Sequence, residues 1–201
     1  MKKLFCKIAL PALAALFINA CSSNLEEVNF EQLSKEQRIE KLQSLHEIEE
    51  NGKIALISRM NGSRMSVNSI YHYKQKSFSL EFTGPMGMSY AKIDVLKNGT
   101  TFLNVRGQLF KGDGARELLK EQFGLDIPVE DLPSIMVGTP KGDVTYDNKG
   151  YAKSALYGDE YKVDYKEYKT FRGGYPLPTF IEVVSPMAQI VIKIHEVTRI
   201  N

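Results

Sequence analysis

The chain has 201 residues, 43% of them apolar and 25% charged, with 8 Pro and 15 Gly, which excludes a disordered or low-complexity polymer and fits one globular domain or a small pair. Its formal charge of +2 is unevenly placed: Lys2, Lys3 and Lys7 lie in the first 20 residues, which hold no acid, leaving 23 basic against 24 acidic side chains beyond them. A near-neutral body argues against nucleic acid as the main partner, because phosphate binding needs a concentrated cationic face.

Met1 to Lys3 form a short cationic segment, Leu4 to Phe17 an apolar stretch interrupted by Cys6, Lys7 and Pro11, and Ile18-Asn19-Ala20-Cys21 follows. The stretch is too short and too broken for a membrane-spanning helix and reads as an export signal. Ala20 directly before Cys21 resembles the lipobox of bacterial lipoproteins. That resemblance implies cleavage before Cys21, diacylglycerol on its sulfur and an acyl chain on the new amine; an ordinary secretory peptide is the alternative. Ser22 stands where Asp would imply retention in the inner membrane, so the same resemblance points to the outer one. Residues 21–201 would then hold no free thiol and no disulfide. The expected layout is a signal over 1–20, a lipidated tether over 21–33 and a single domain over 34–201.

In chain order, Ser34 and Gln37 form a capping box, and Ile39, Leu42, Leu45 and Ile48 share one stripe of a helix expected to end at Asn51-Gly52. The period then changes to two. Phe78, Leu80 and Phe82 alternate with polar neighbours, as do Ala91, Ile93 and Val95, and Asn98-Gly99 signals a two-residue hairpin into Thr101 to Val105. Next comes a helical insert with Asp113 as N-cap, an apolar stripe of Ala115, Leu118, Leu119 and Phe123, and Gly124 as the stop. A second short helix runs from Pro128 toward Gly138, limited by Pro133. Strands resume near Val144, with clear alternation at Tyr161, Val163, Tyr165 and at Ile190, Ile192, Ile194. The order is α+β with antiparallel strands. Few helices face many strands, so the expected architecture is an incomplete, open antiparallel β-barrel with a helical lid enclosing a hydrophobic cavity.

Catalytic and metal-binding patterns are missing. His46, His72 and His195 lack companions at ligand spacing, and neither a nucleophile elbow, an H-E-x-x-H pair nor a Walker loop occurs. The expectation is therefore not an enzyme, with no metal and no cofactor. One loop does stand out: Thr83-Gly84-Pro85-Met86-Gly87-Met88 joins two strands, and Met86 either protrudes from it or folds back into the core.

Three segments together resemble the LolB family, outer-membrane receptors of the bacterial lipoprotein localisation pathway: the lipobox at Cys21, the loop Pro85-Met86-Gly87, and the stretch from Leu118-Leu119 to Pro140. Within the last, Gly124-Leu125-Asp126-Ile127-Pro128-Val129-Glu130-Asp131-Leu132 and Gly138-Thr139-Pro140 are the most specific part. The resemblance implies an open barrel with a helical lid around a hydrophobic cavity. It implies a monomer that accepts lipoproteins from the periplasmic carrier LolA and inserts them into the phospholipid of the outer membrane. Met86 matches the family's exposed apolar loop residue, usually Leu, which implies protrusion. The candidates for contact with acyl chains are Phe78, Leu80, Phe82, Ile93, Val95, Leu118, Phe123, Ile135, Val163, Tyr165, Ile190, Ile192 and Ile194. The family often has tryptophans, one near Ile135, whereas this chain has none. A cavity lipoprotein carrying another amphiphile, or a structural accessory lipoprotein of an envelope complex, are the competing functions.

Overall fold

The computed structural model describes residues 27–123 and 126–201. Eleven strands make one antiparallel sheet: β1 (Glu47–Ser58), β2 (Arg64–Lys74), β3 (Ser77–Thr83), β4 (Ser89–Val95), β5 (Thr100–Val105), β6 (Gln108–Asp113), β7 (Asp143–Tyr146), β8 (Ala152–Tyr157), β9 (Tyr161–Thr170), β10 (Pro176–Val184) and β11 (Ala188–Ile200). Their order is β6-β5-β4-β3-β2-β1-β11-β10-β9-β8-β7, so the first and last strands pair at the centre and two meanders spread from them. The barrel is not closed: β6 and β7 form its two edges. Among the described residues three α-helices accompany it, α1 (Lys35–Gln43), α2 (Ala115–Phe123) and α3 (Leu132–Met136).

Alternation along the strands puts one apolar face inside, and both meanders contribute to the same core. Ile54, Tyr71, Leu80, Ile93 and Leu103 from one side meet Val163, Tyr165, Ile181, Ile192 and Ile194 from the other. A single cluster fed by both flanks requires a curled sheet. Register shifts that bend strands occur in several pairs, twice in β9–β10 and twice in the central pair, where the β1–β11 register slips at Glu49/Glu50 and at Asn51/Gly52. Gly52 is needed there, since a Cβ at this position would run into the Lys193 carbonyl oxygen of β11.

The helical segment between β6 and β7 connects the two open edges, which lays it across the concave face. Ala115, Leu118 and Leu119 of α2 and Leu132, Ile135 and Met136 of α3 complete the core. A second, smaller core lies at the end where β1 begins and β11 finishes. Phe30, Leu42, Leu45, Ile48, Tyr175, Leu177 and Ile200 pack there, beneath α1.

Several expectations need correction. The first helix ends at Gln43 instead of at Asn51-Gly52, although its capping box forms as read, with Gln37 N–H donating to Ser34 Oγ (3.2 Å) and Ser34 N–H to Gln37 Oε1 (2.9 Å). Leu45 and Ile48 continue the helical spacing by coincidence; the chain leaves the helix because His46 N–H (2.7 Å) and Glu47 N–H (3.0 Å) donate to the Asn201 carbonyl and start a ladder with the C-terminal strand. Asp113 ends β6, and Gly114, at φ +132°, takes the N-cap position, its carbonyl accepting Leu118 N–H. Gly124, read as that helix's stop, lies outside the described residues. Asn98-Gly99 closes a three-residue loop, with Gly99 at φ +87° and the Asn98 side chain accepting Thr100 N–H. The stretch read as a tether is, from Val28 on, fastened to the fold: Val28 N–H donates to Gly173 O (3.0 Å) and Phe30 is buried.

Candidate functional site

Strand direction decides which turns share an end of the barrel. The turns at 59–63, 84–88, 106–107 and 185–187 follow β1, β3, β5 and β10, and all fall opposite the α1 end. In sheet order these four hairpins are consecutive, so neighbouring tips stand about 10 Å apart. Arg59 ties two of them together through its N–H to Met187 O (2.9 Å) and its guanidinium to Ser185 O (2.9 Å).

The 84–88 turn presents Met86. Gly84 N–H donates to Met88 O (2.9 Å) and Gly87 N–H to Gly84 O (3.2 Å), pinching the loop shut. Gly84 accepts the Tyr90 ring where a Cβ would stand, and Met86 sits at φ 65°, ψ 19° with 91% of its surface exposed. A non-glycine residue held in the left-handed region costs roughly 1–3 kcal/mol, a strain that accumulates where function requires it. Protrusion of Met86, one of the two sequence alternatives, is the observed one.

Two of the neighbouring tips carry the same signature. Met60, Met65, Met88 and Met187 are exposed as well, so five of the chain's seven methionines stand in water at this end. Arg59, Arg64 and Arg106 are interleaved with them, and residues 59–65, 84–90, 106–109 and 185–188 contain no acid. Sequence reading singled out Met86 alone, because nothing in a linear chain says which turns will be neighbours.

The interior gathers most of the other candidates. Phe78, Leu80, Ile93, Val95, Leu118, Ile135, Val163, Tyr165, Ile192 and Ile194 are buried in one cluster, and Phe82 and Ile190 pack half-buried against it. Phe123 closes α2, its side chain outside the described residues. The cavity expected from sequence is filled in this structure: beneath α3 the remaining void measures about 10 Å³, the lower limit for one water. A larger hollow of about 650 Å³ is an open groove elsewhere, lined by polar side chains such as Asp147, Lys149 and Glu167 beside Tyr146, Tyr151 and Tyr168.

Polar ties fasten the helical segment to β8, β9 and the turn between them. Tyr161 OH donates to the Asp131 carboxylate (2.6 Å), Tyr165 OH to the Ile135 carbonyl (3.2 Å) and Lys141 N–H to Tyr157 OH (2.8 Å). Arg116 binds both Asp126 and Glu160 (2.6 Å to the latter), which holds the Asp126 carboxyl below its usual range. Glu130 accepts Arg116 N–H at the start of α2 (2.6 Å). On the β1–β2 side the interior instead buries Glu50 and Tyr71, cross-strand partners under α3. Burial pushes the Glu50 carboxyl up to about 8, and burial followed by Glu50 raises the Tyr71 phenol. Reading 44–51 as helix hid Glu50; a strand register running Ile48, Glu50, Gly52, Ile54 puts it on the apolar face.

His72 bonds Glu47 (3.1 Å), while His46 and His195 are exposed. Among the described residues no cluster of His, Cys, Asp and Glu could hold a metal, and no helix is long and apolar enough to cross a membrane. Cys21 lies outside the described residues.

Residues 46–196 match the family model described as outer membrane lipoprotein LolB. Outer-membrane lipoprotein LolB of Yersinia pseudotuberculosis serotype IB (strain PB1/+) is 28% identical over 166 residues, covering 78% of this chain and 77% of the relative. That of Yersinia pestis (strain Pestoides F) is 28% identical over 142 residues, 67% of each. Two crystal structures share the fold at a TM-score of 0.50: a LolA superfamily protein from Nitrosomonas europaea, 10% identical over 82% of this chain and 93% of that one, and a DUF1329 family protein from Desulfovibrio piger, 11% identical over 81% and 89%.

Proposed function

Because the chain belongs to the outer membrane lipoprotein LolB family, we propose that it is a lipid-anchored receptor on the periplasmic face of the outer membrane, taking acylated lipoproteins from the carrier LolA and inserting them into the bilayer. The observation that carries this reading is one apolar interior, filled by a helical segment, in a barrel whose opposite end exposes apolar turns.

Handover solves a solvation problem. A triacylated cysteine has about 45 CH₂ groups, on the order of 35 kcal/mol of unfavourable hydration at about 0.8 kcal/mol each. A dry interior removes that barrier without a chemical step. Leu118, Leu119, Leu132, Ile135 and Met136 occupy the interior. The helical segment acts as a lid: displaced about its polar ties to β8 and β9, it vacates a hydrophobic cavity for acyl chains lined by the strand candidates named above. Direction follows from differential affinity, with the membrane as the better final solvent.

Pro85, Met86 and Gly87 form the membrane-inserting loop. Burying Met86 in lipid yields about 1.5–3 kcal/mol, enough to touch a bilayer and too little to anchor the protein. Anchoring is the role of Cys21, acylated after removal of residues 1–20, with the residues between it and Val28 linking it to the domain. The arginines beside the exposed methionines favour contact with anionic headgroups.

Handover can be watched without membranes. Loaded carrier is mixed with a form of this chain that lacks residues 1–20 and carries Cys21→Ala, and the mixture is separated by size. Cargo should leave the carrier and elute with this chain; cargo retained by the carrier contradicts the receptor reading.

A further inference from the structure

Glu50 and Tyr71 face each other across the β1–β2 ladder, each only 2% exposed, in a wall otherwise made of Ile54, Leu80, Ile192 and Ile194. Five buried side-chain polar atoms lack a hydrogen-bond partner among the described residues, and three of them sit here: both carboxyl oxygens of Glu50 and the Tyr71 hydroxyl. Each unmade bond costs about 1–3 kcal/mol, so three on one cross-strand pair are a large local cost. The fold also leaves room beside them. Ser69, two residues before Tyr71 on β2, is small, and the void of about 10 Å³ under Leu132 and Met136 of α3 opens at this point.

We propose that Glu50 and Tyr71 form a polar subsite within the apolar interior that binds the carbonyl oxygen of an acyl ester or acyl amide, the linkage joining a fatty chain to its carrier molecule. The chemistry is complementary. A carbonyl oxygen only accepts and has two lone pairs, while a neutral carboxyl and a phenol each donate one hydrogen. Burial keeps the Glu50 carboxyl in that neutral, donating form. A pure hydrocarbon would leave all three atoms unpaired, so the subsite fixes how deeply a chain enters by arresting its first carbonyl beneath α3. The inference rests on the acyl-chain reading above and adds a ligand group and two residues to it.

The test compares full-length protein binding to fluorescent diacyl lipids and to their dialkyl ether analogues of equal length, which lack the carbonyl. One pair is built on a glyceryl-cysteine peptide, the other on a phospholipid. Wild type should bind the ester member three- to tenfold more tightly in at least one pair; a preference in the peptide pair alone assigns the subsite to lipoprotein cargo, and in the phospholipid pair alone to membrane lipid. Glu50→Gln, which still donates, should keep part of the preference. Glu50→Leu combined with Tyr71→Phe should erase it while raising the melting temperature, which also shows that the variant folds. Equal affinity of wild type for ester and ether, or an undiminished preference in the double variant, overturns the subsite. Binding of neither lipid overturns the acyl-chain reading itself.

Discussion

The two ends of this barrel treat apolar side chains in opposite ways. At the α1 end, Phe30, Leu42, Leu45, Ile48, Tyr175 and Leu177 are gathered into a second core, closed by a capped helix and by Glu47, which bonds Arg199 (2.7 Å), His72 (3.1 Å) and Lys74. At the Met86 end, methionines on three adjacent hairpins stay in water, one of them in a strained backbone conformation. Both ends belong to one sheet, so the difference is not a matter of available strands. One end hides its apolar side chains in a core, and the other leaves them exposed, a pattern that marks surfaces for contact with a partner or a membrane.

Substitutions at each end should separate those roles. Leu42→Ala at the closed end removes a buried side chain and should lower unfolding free energy by about 2–5 kcal/mol in urea titrations, with cargo insertion preserved while the protein remains folded. Met86→Glu at the open end should change the melting temperature little, leave uptake from the carrier intact and depress membrane insertion at least tenfold, since about 1.5–3 kcal/mol of burial is lost. Equal losses of uptake and insertion would make that loop structural and erase the contrast.

Between the ends, pH distinguishes two carboxylates. Glu50 ionises only near 8 in the fold against 4.5 in the unfolded chain, so its contribution is complete below pH 4.5 and is lost as pH rises toward 8. Glu47, drawn down to about 2 chiefly by Arg199 and then His72, runs the other way: its contribution is present above pH 4.5 and is lost as pH falls toward 2. Glu50→Gln should flatten the loss on the alkaline side, and Arg199→Ala the loss on the acid side, in melting curves taken across pH 3–9. The smallest effect is Ser34→Ala, which removes one half of the capping box and should cost about 1 kcal/mol in the same urea titration.

Strict alternation made β3, β4, β9 and β11 readable from sequence, and Pro133 correctly confined α3 to little more than a turn. β1 was not readable, because Leu42, Leu45 and Ile48 keep a spacing of three that suits a helix, and only pairing with β11 resolves it. Picking alternate apolar residues chose the right face for the interior, since period two marks a face. It could not show that Leu118 and Ile135 fill that interior, which depends on how a segment joining two distant edges folds back. Met86 was legible through Gly84, Pro85 and Gly87, whereas Met60, Met65 and Met187 became part of the same surface only through sheet order. Glu50 was missed for the same reason as β1.

On the proposed function, the closed end holds a receptor together while the open end delivers its cargo. That division is tested most directly with purified full-length protein, carrier loaded with a labelled lipoprotein, and outer-membrane vesicles. Vesicle-bound cargo should rise well above the level reached with carrier alone and fall back toward that level with Met86→Glu. No gain over carrier alone would contradict the account.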